Sequence, residues 1–140
     1  MDIRHDWTTD EVFALLTGPL DGLLAQSKEM HSRYAAPDVQ KCQLLSVKTG
    51  ACPEDCGYCS QSAHFKTNLS PEPLVDVERV MDVARAAKSE GATRFCMGAA
   101  WREVPPENDR RFQAVLGMIS GVADLGMEVC CTLGMANETQ

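Results

Sequence analysis

Three cysteines lie close together in the segment CPEDCGYC, at Cys52, Cys56 and Cys59. Their C-x3-C-x2-C spacing would share one face of a helix, but Pro53 and Gly57 disfavour a regular helix there. The segment therefore predicts a loop wrapped around a metal, because thiolates are the ligands that zinc and iron–sulfur clusters prefer. Three thiolates on a four-iron cluster would leave one iron free to bind a small molecule.

The motif by itself leaves two other interpretations open. A structural zinc site could combine the three thiols with His64 or Cys42 as its fourth ligand. Alternatively, the cysteines bind nothing and are simply dispersed. The histidines show no metal-ligand spacing among themselves, and we expect each to lie at the surface; they are His5, His31 and His64.

The composition narrows the class of protein. The chain has 140 residues, a net charge of −7 and no basic stripe, which argues against a nucleic-acid partner. No apolar run reaches the roughly 18–20 residues of a membrane span, and the polar N-terminus shows no secretory signal. We therefore expect a cytoplasmic protein, in which seven cysteines are more often metal ligands or catalytic groups than disulfides.

The elements that must position these cysteines begin with a helical N-terminal extension, predicted over residues 1–38. Thr8 and Glu11 have capping-box spacing and predict a first helix that ends at Gly18. A second helix is predicted from Leu20 to about Ala36.

Residues 39–140 alternate between strand and helix patterns. Strands are predicted over residues 41–49, 93–98 and 127–133, and helices over 77–90 and 112–125, with Gly91 stopping the first helix. Asn137 is expected to begin another helix. This β-α-β-α-β order predicts an α/β fold with parallel strands, either a small open sheet or the first part of a (β/α) barrel. The stop at a helix start favours a barrel that is incomplete in this chain, since a closed barrel needs about 200 residues or more.

Alternation along the strands sorts the remaining cysteines. Cys96 and Cys130 are predicted to point the same way on neighbouring strands, where two thiols could hold a second metal centre or be ordinary buried cysteines. Cys131 falls on the apolar face and is expected to fill the core. Cys42, near the start of the first strand, is expected to be structural.

Three separated segments resemble the biotin synthase family of the radical S-adenosylmethionine superfamily: LLSVKTGACPEDCGYCSQSAHFKT, TRFCMGAAW and VCCTLG. The resemblance covers residues 42–140 well and the N-terminal helices more loosely. It implies that the (β/α) fold is a TIM-type barrel, of which this chain would supply the first three βα units. In that case residues 39–140 are the N-terminal part of the barrel domain.

The resemblance also implies roles for individual residues. The three loop cysteines match the ligands of a [4Fe–4S] cluster whose open iron binds S-adenosylmethionine. Tyr58 matches an aromatic beside the adenosyl group, and Gly98 and Ala99 match a strand end that contacts the methionine amino group. Cys96 and Cys130 match two ligands of a [2Fe–2S] cluster inside the barrel, with Cys131 as the alternative to Cys130.

The implied activity is the last step of biotin biosynthesis. In the family, reductive cleavage of S-adenosylmethionine gives a radical that removes hydrogen from dethiobiotin, and sulfide of the [2Fe–2S] cluster is inserted to give biotin. The chemistry is carried by the cofactors, so no catalytic side chain is expected. The family further implies an electron donor such as flavodoxin and a homodimer. Its additional [2Fe–2S] ligands, a cysteine and an arginine, lie on later strands that this chain lacks, so we expect the 140 residues alone to be inactive.

Overall fold

The computed structural model describes residues 4–35 and 37–140, which divide into two compact units, Met1–Val39 and Gln40–Gln140. The first unit contains helices α1 (Thr9–Thr17) and α2 (Leu20–Tyr34). The second unit contains, in chain order, β1 (Cys42–Lys48), α3 (Val77–Ser89), β2 (Arg94–Ala99), α4 (Arg110–Asp124) and β3 (Glu128–Thr132). Within the described residues no helix is long and apolar enough to cross a membrane.

The capping box predicted at the start of α1 is present. The Thr8 hydroxyl accepts a hydrogen bond from Glu11 N, and the Glu11 carboxylate accepts one from Thr8 N. The Thr8 backbone N–H and the Arg4 guanidinium lower the pKa of Glu11 to about 2. Helix α2 ends at Tyr34, and Ala36, the predicted end, lies outside the described residues. No residue of α1 or α2 is buried.

The second unit is built on a parallel three-stranded sheet with the strand order β1-β2-β3. Helices α3 and α4 pack against each other, and their apolar faces cover one side of the sheet. Phe95 and Met97 of β2 point into this core and are almost completely buried, together with Val80 and Met118 of the helices. A Cβ at Gly121 of α4 would lie 2.6 Å from the Met81 sulfur, so glycine permits the close approach of the two helices.

The predicted order of elements in this unit is confirmed, and so is the helix stop at Gly91, which has a φ of +89°. Of the helix predicted to begin at Asn137, the 140 residues contain only the capping turn. Residues 137–140 form only a turn, although Asn137 Oδ1 already accepts hydrogen bonds from Thr139 N and Gln140 N. A helix needs more residues than these to offset its costly first turn.

The second side of the sheet, which we call the open face, has no helix of the described residues against it. Its side chains follow strand alternation and the observed register: Cys42, Leu44 and Ser46 of β1, Arg94, Cys96 and Gly98 of β2, and Glu128, Cys130 and Thr132 of β3. Leu44 is 67% exposed, in contrast to the buried residues on the helix side.

Candidate iron–sulfur and cofactor site

The loop that carries the three clustered cysteines starts at the carboxyl end of β1. Gly50 and Ala51 both have positive φ values, +67° and +52°, and they turn the chain sharply into Cys52. Such a conformation is strained for a non-glycine residue such as Ala51. A Cβ at Gly50 would also lie 3.0 Å from Pro71 Cα, so the residue type is restricted by space as well as by conformation.

Backbone hydrogen bonds close the base of this loop. Cys52 N donates to Gln61 O at 2.9 Å, and Ala63 N donates to Cys52 O at 2.8 Å. At the tip, Cys59 N donates to Cys56 O at 2.9 Å and forms a turn between two of the cysteines. The three thiols are therefore carried by a closed loop rather than by a helix, as the sequence predicted.

Ser62 is the main side chain that fixes the interior of the loop. It is only 5% exposed, its hydroxyl donates to Glu54 O at 2.5 Å, and it accepts from His64 N at 3.2 Å. The His64 ring is exposed, and its Nε2 atom lies 3.0 Å from Pro53 O. These contacts join residues 53–54 to residues 62–64 across the loop.

The loop thiols and the end of β2 line one cavity of about 390 Å³. Its walls include the three loop cysteines together with Glu54, Gln61, Gly98, Ala99 and Thr132. The structure thus brings Gly98 and Ala99 to the same cavity as Cys52, Cys56 and Cys59. An ion pair between Arg102 and Glu54, with 3.0 Å between Nε and Oε1, also connects the loop to the segment after β2.

Tyr58 lies elsewhere. Its side chain is 95% exposed, and it is not among the residues that line the cavity. The backbone between Cys56 and Cys59 turns this ring towards solvent, so the structure does not bring Tyr58 together with the other predicted cofactor residues.

The donor set of the loop fits an iron–sulfur cluster by its chemistry, since all three groups are thiols with free sulfurs beside one cavity. Among residues 4–35 and 37–140, no group of three or more His, Cys, Asp or Glu side chains is gathered around the position of a single metal ion. A multi-iron cluster does not need such convergence, because each thiolate binds a different iron.

The structure excludes Cys42 as the fourth ligand of the alternative zinc site. Cys42 begins β1, whereas the loop follows the end of that strand, so seven residues of extended chain separate Cys42 from the loop. At about 3.3 Å per residue this distance is close to 20 Å. Cys42 therefore cannot complete a site with the loop cysteines.

On the open face, Cys96 and Cys130 lie side by side as register partners of β2 and β3. Both are partly buried. The hydrogen bond with Cys42, burial and the neighbouring Cys130 together raise the pKa of the Cys96 thiol to about 12. Along β2, Gly98 is the next residue on this face after Cys96. Gly98 lines the cavity at the carboxyl end of the strand, so Cys96 and Cys130 lie further from that end than the cavity does.

Cys42 was expected to be structural, and the structure gives it a more specific environment. It is exposed on the open face, and its sulfur lies 3.2 Å from the sulfur of Cys96. Strand alternation places Cys42, Leu44 and Ser46 on one face, but only the register of β1 against β2 shows which thiols meet across the strands. We call Cys42, Cys96 and Cys130 the open-face thiols.

The expectation that Cys131 fills the core is wrong. Cys131 does face the helix side, near Phe112 and Ile119 of α4, but the residue is exposed. The reason is that β3 is the edge strand of the sheet, so nothing among the described residues covers its outer half. Partial burial of the thiol and the adjacent Cys130 raise the pKa of Cys131.

Comparison with known proteins gives consistent relatives. The chain is 52% identical over 136 residues to biotin synthase of Photobacterium profundum, which covers 96% of this chain and 38% of that protein. It is 50% identical to the biotin synthases of Parvibaculum lavamentivorans and Myxococcus xanthus, over 99% and 100% of its length and 40% of theirs. The chain therefore spans about 40% of the length of these relatives. No protein-family model matches it.

Proposed function

Because this chain is related along almost its whole length to biotin synthases, we propose that it contributes to an enzyme that converts dethiobiotin to biotin by radical sulfur insertion. The structural observation that supports this proposal most directly is the shared cavity of the three loop thiols, Gly98 and Ala99. That cavity lies at the carboxyl ends of parallel strands, where (β/α) folds place their active sites.

In this proposal Cys52, Cys56 and Cys59 hold a [4Fe–4S] cluster. When bound, the cluster supplies the electron that cleaves S-adenosylmethionine. The closed loop base at Cys52 and the buried Ser62 hold the thiols beside the cavity. Gly98 and Ala99 present backbone with little side chain to the same space, which allows S-adenosylmethionine to approach the strand end closely.

Cys96 and Cys130 are proposed to hold a [2Fe–2S] cluster that supplies the inserted sulfur. Their adjacent positions on the open face support this role, because both thiols lie on the side of the sheet that is not packed against α3 and α4. A barrel closed by further strands would enclose this face, and we propose that residues 39–140 are the first part of such a TIM-type barrel, with residues 1–38 as its helical extension. Tyr58 would have to rotate inwards to contact an adenosyl group.

We further propose that the complete enzyme is a cytoplasmic homodimer that receives electrons from a donor such as flavodoxin. The 140-residue chain by itself should not turn over dethiobiotin, because the remaining ligands of the second cluster would come from later strands.

Anaerobic reconstitution with iron and sulfide tests the loop cluster. The chain should become brown, and its charge-transfer absorption should change when S-adenosylmethionine is added. Replacement of Cys52, Cys56 and Cys59 by alanine should remove that response. A colourless chain that binds one zinc ion tightly would contradict the proposal. Turnover of dethiobiotin by the complete enzyme then separates biotin synthase from other radical enzymes.

The second cluster has a matched pair of variants. Cys130→Ala should abolish its absorption spectrum, whereas Cys131→Ala, one residue further and on the opposite face, should leave the spectrum unchanged. The reverse result would show that the assignment of the two faces to the two thiols is wrong.

A further inference from the structure

Glu54 lies in the wall of the cavity that the loop thiols line, and the proposed function gives its side chain no role. We propose that the Glu54 carboxylate makes this cavity selective for cations, and that it determines the preference of the site for the sulfonium cation of S-adenosylmethionine over a neutral thioether. The inference rests on the proposed function in taking this cavity as the binding site of S-adenosylmethionine.

The charge in the cavity wall comes from a single carboxylate. Among the described residues that line the cavity, Glu54 is the only side chain besides the cysteines that can carry a charge. The other walls include Leu44 and Trp101, together with the backbone of Gly98 and Ala99 at the strand end. Such walls solvate a charge less well than water does, so a carboxylate among them acts more strongly on a bound cation.

Glu54 is held at two points before any ligand binds. The Ser62 hydroxyl donates to the backbone carbonyl of Glu54 at 2.5 Å, and Arg102 Nε lies 3.0 Å from Glu54 Oε1. The Glu54 side chain is still 39% exposed, so a ligand can reach it. A carboxylate that is already in place loses little conformational freedom when a cation binds beside it.

Arg102 does not cancel the charge of Glu54. Its Nε atom also lies 3.7 Å from Glu103 Oε1, so one guanidinium lies between two carboxylates and the three side chains keep one uncompensated negative charge. Arg102 does not line the cavity of the loop thiols; it lines the neighbouring cavity, with Lys48 and Glu103. The positive charge therefore approaches Glu54 from the side opposite to the proposed ligand.

The charge on the ligand's sulfur is the feature that such a carboxylate can distinguish. S-adenosylmethionine carries a fixed positive charge on its sulfur, whereas S-adenosylhomocysteine has a neutral thioether at the same place. The two molecules share the adenosyl group, the amino group and the carboxylate, so the contacts of these groups cancel when the affinities are compared. The ratio of the two affinities therefore measures what the charge of Glu54 adds.

The first test measures the binding of both molecules to the reconstituted chain by equilibrium dialysis. Glu54→Gln keeps the shape of the side chain and an oxygen acceptor for Arg102. It should weaken the binding of S-adenosylmethionine about tenfold, an effect between the water-screened and the protein-surface strength of one nearby unit charge, and leave that of S-adenosylhomocysteine unchanged. Glu54→Asp should keep most of the preference.

Two further variants are the controls for this test. Glu103→Gln removes the other carboxylate beside Arg102, which does not line the cavity, and should leave the preference unchanged. Arg102→Gln removes the contact with Glu54 but keeps the carboxylate, so the preference should persist. A loss of preference in Arg102→Gln would assign the effect to the position of the loop and contradict the proposal.

The second test needs neither iron nor cofactor. The chain without metal is treated anaerobically with cationic trimethylammonioethyl methanethiosulfonate or anionic sulfonatoethyl methanethiosulfonate, and the modification rate of each cysteine is followed by mass spectrometry of its peptide. Glu54→Gln should lower the cation-to-anion rate ratio at Cys52, Cys56 and Cys59 about tenfold. The ratio at Cys131, which faces the helix side, should not change and is the internal control.

An equal effect of Glu54→Gln on both ligands, or none on either, would overturn the proposal, as would an unchanged rate ratio at the loop thiols. Circular dichroism on every variant excludes misfolding as the cause. Failure of the proposed function would appear instead as a chain that forms no cluster or does not respond to S-adenosylmethionine. The rate ratio still decides the cation preference in that case, so the two failures are distinguishable.

Discussion

The loop thiols and the open-face thiols are held in place by different kinds of structure. The loop belongs to residues 49–76, a connection without helix or strand, and it is fixed by a few hydrogen bonds such as those of Ser62. The open-face thiols stand on a continuous parallel ladder whose other side is packed against two helices. A ladder distributes its support over many contacts, whereas the loop depends on individual side chains. The two sites should therefore respond differently to substitution.

The largest effect is expected from Phe95→Ala, because Phe95 is completely buried directly behind the open face. Loss of a buried phenyl ring and the resulting cavity should destabilise the second unit by about 3–5 kcal/mol. Both groups of thiols should then lose metal binding together. Urea unfolding followed by circular dichroism measures the loss. If either group of thiols still bound metal in a variant destabilised by this amount, the two groups would not both depend on the sheet core.

Ser62→Ala should separate the two sites. The substitution removes the hydroxyl partner of Glu54 O and His64 N from a loop whose Ser62 side chain is buried, which costs about 1 kcal/mol locally. Hydrogen exchange should increase in residues 52–64 and remain unchanged in β2 and β3. Cluster binding by the loop should weaken, while the sheet that carries the open-face thiols should keep its free energy of unfolding. An equal loss of hydrogen-exchange protection in the loop and in the sheet would show that the loop also supports the sheet.

Asp109→Ala should have a smaller effect, confined to the sheet unit. Asp109 caps α4 by accepting a hydrogen bond from Arg111 N, and α4 buries Phe112 and Met118 against the sheet. The Arg111 guanidinium and backbone N–H lower the pKa of Asp109 to about 2. The pKa of Asp109 is lower in the folded than in the unfolded state, so the ionised carboxylate adds to the free energy of unfolding. This stabilisation is fully present above about pH 4 and is lost as the pH falls towards 2.

Asp109→Asn is the control, since asparagine also caps helices but does not titrate. It should keep most of the stability at pH 7 while removing this part of the acid dependence. Thermal melts at several pH values between 2 and 7 compare the three proteins. An acid dependence identical in wild type and Asp109→Asn would contradict the assignment.

The smallest effect is expected from Arg94→Gln, which removes an ion pair with Glu128 at the amino end of the open face. Both side chains are substantially exposed, and exposed pairs of this kind contribute little to stability. The melting temperature should be unchanged. A large drop in the melting temperature would contradict the ladder as the main support of the open-face thiols.

The same contrast explains how much of the molecule could be predicted from the sequence. Strand alternation placed Cys96 and Cys130 on one face and Cys131 on the other, because a period of two is a local property of extended chain. The proximity of Cys42 to Cys96 depends on the register between β1 and β2, which alternation does not contain. The exposure of Cys131 depends on the position of β3 at the sheet edge, which is also a non-local property.

In the loop, the motif spacing indicated irregular structure around a metal, but the fixing contacts could not be predicted. Ser62 bonds to the carbonyl of Glu54, and backbone conformation rather than residue type decides which carbonyl lies within reach. The positive φ of Ala51 could not be predicted from the sequence either, because alanine rarely adopts this conformation without support from its surroundings. The turn of Tyr58 towards solvent is set by the same local backbone.

The closed base of the cysteine loop has a consequence for engineering. Backbone bonds pair Cys52 with residues 61–63, and Glu72 N donates to Thr49 O beyond them, so the thiol segment and the return to α3 are anchored independently. The exposed stretch between these anchors, around Asn68, carries no loop cysteine. An affinity tag or a reporter peptide inserted there would lengthen the connection at a small entropic cost, about 0.6 kcal/mol for each doubling. The cavity that the thiols line would keep its walls.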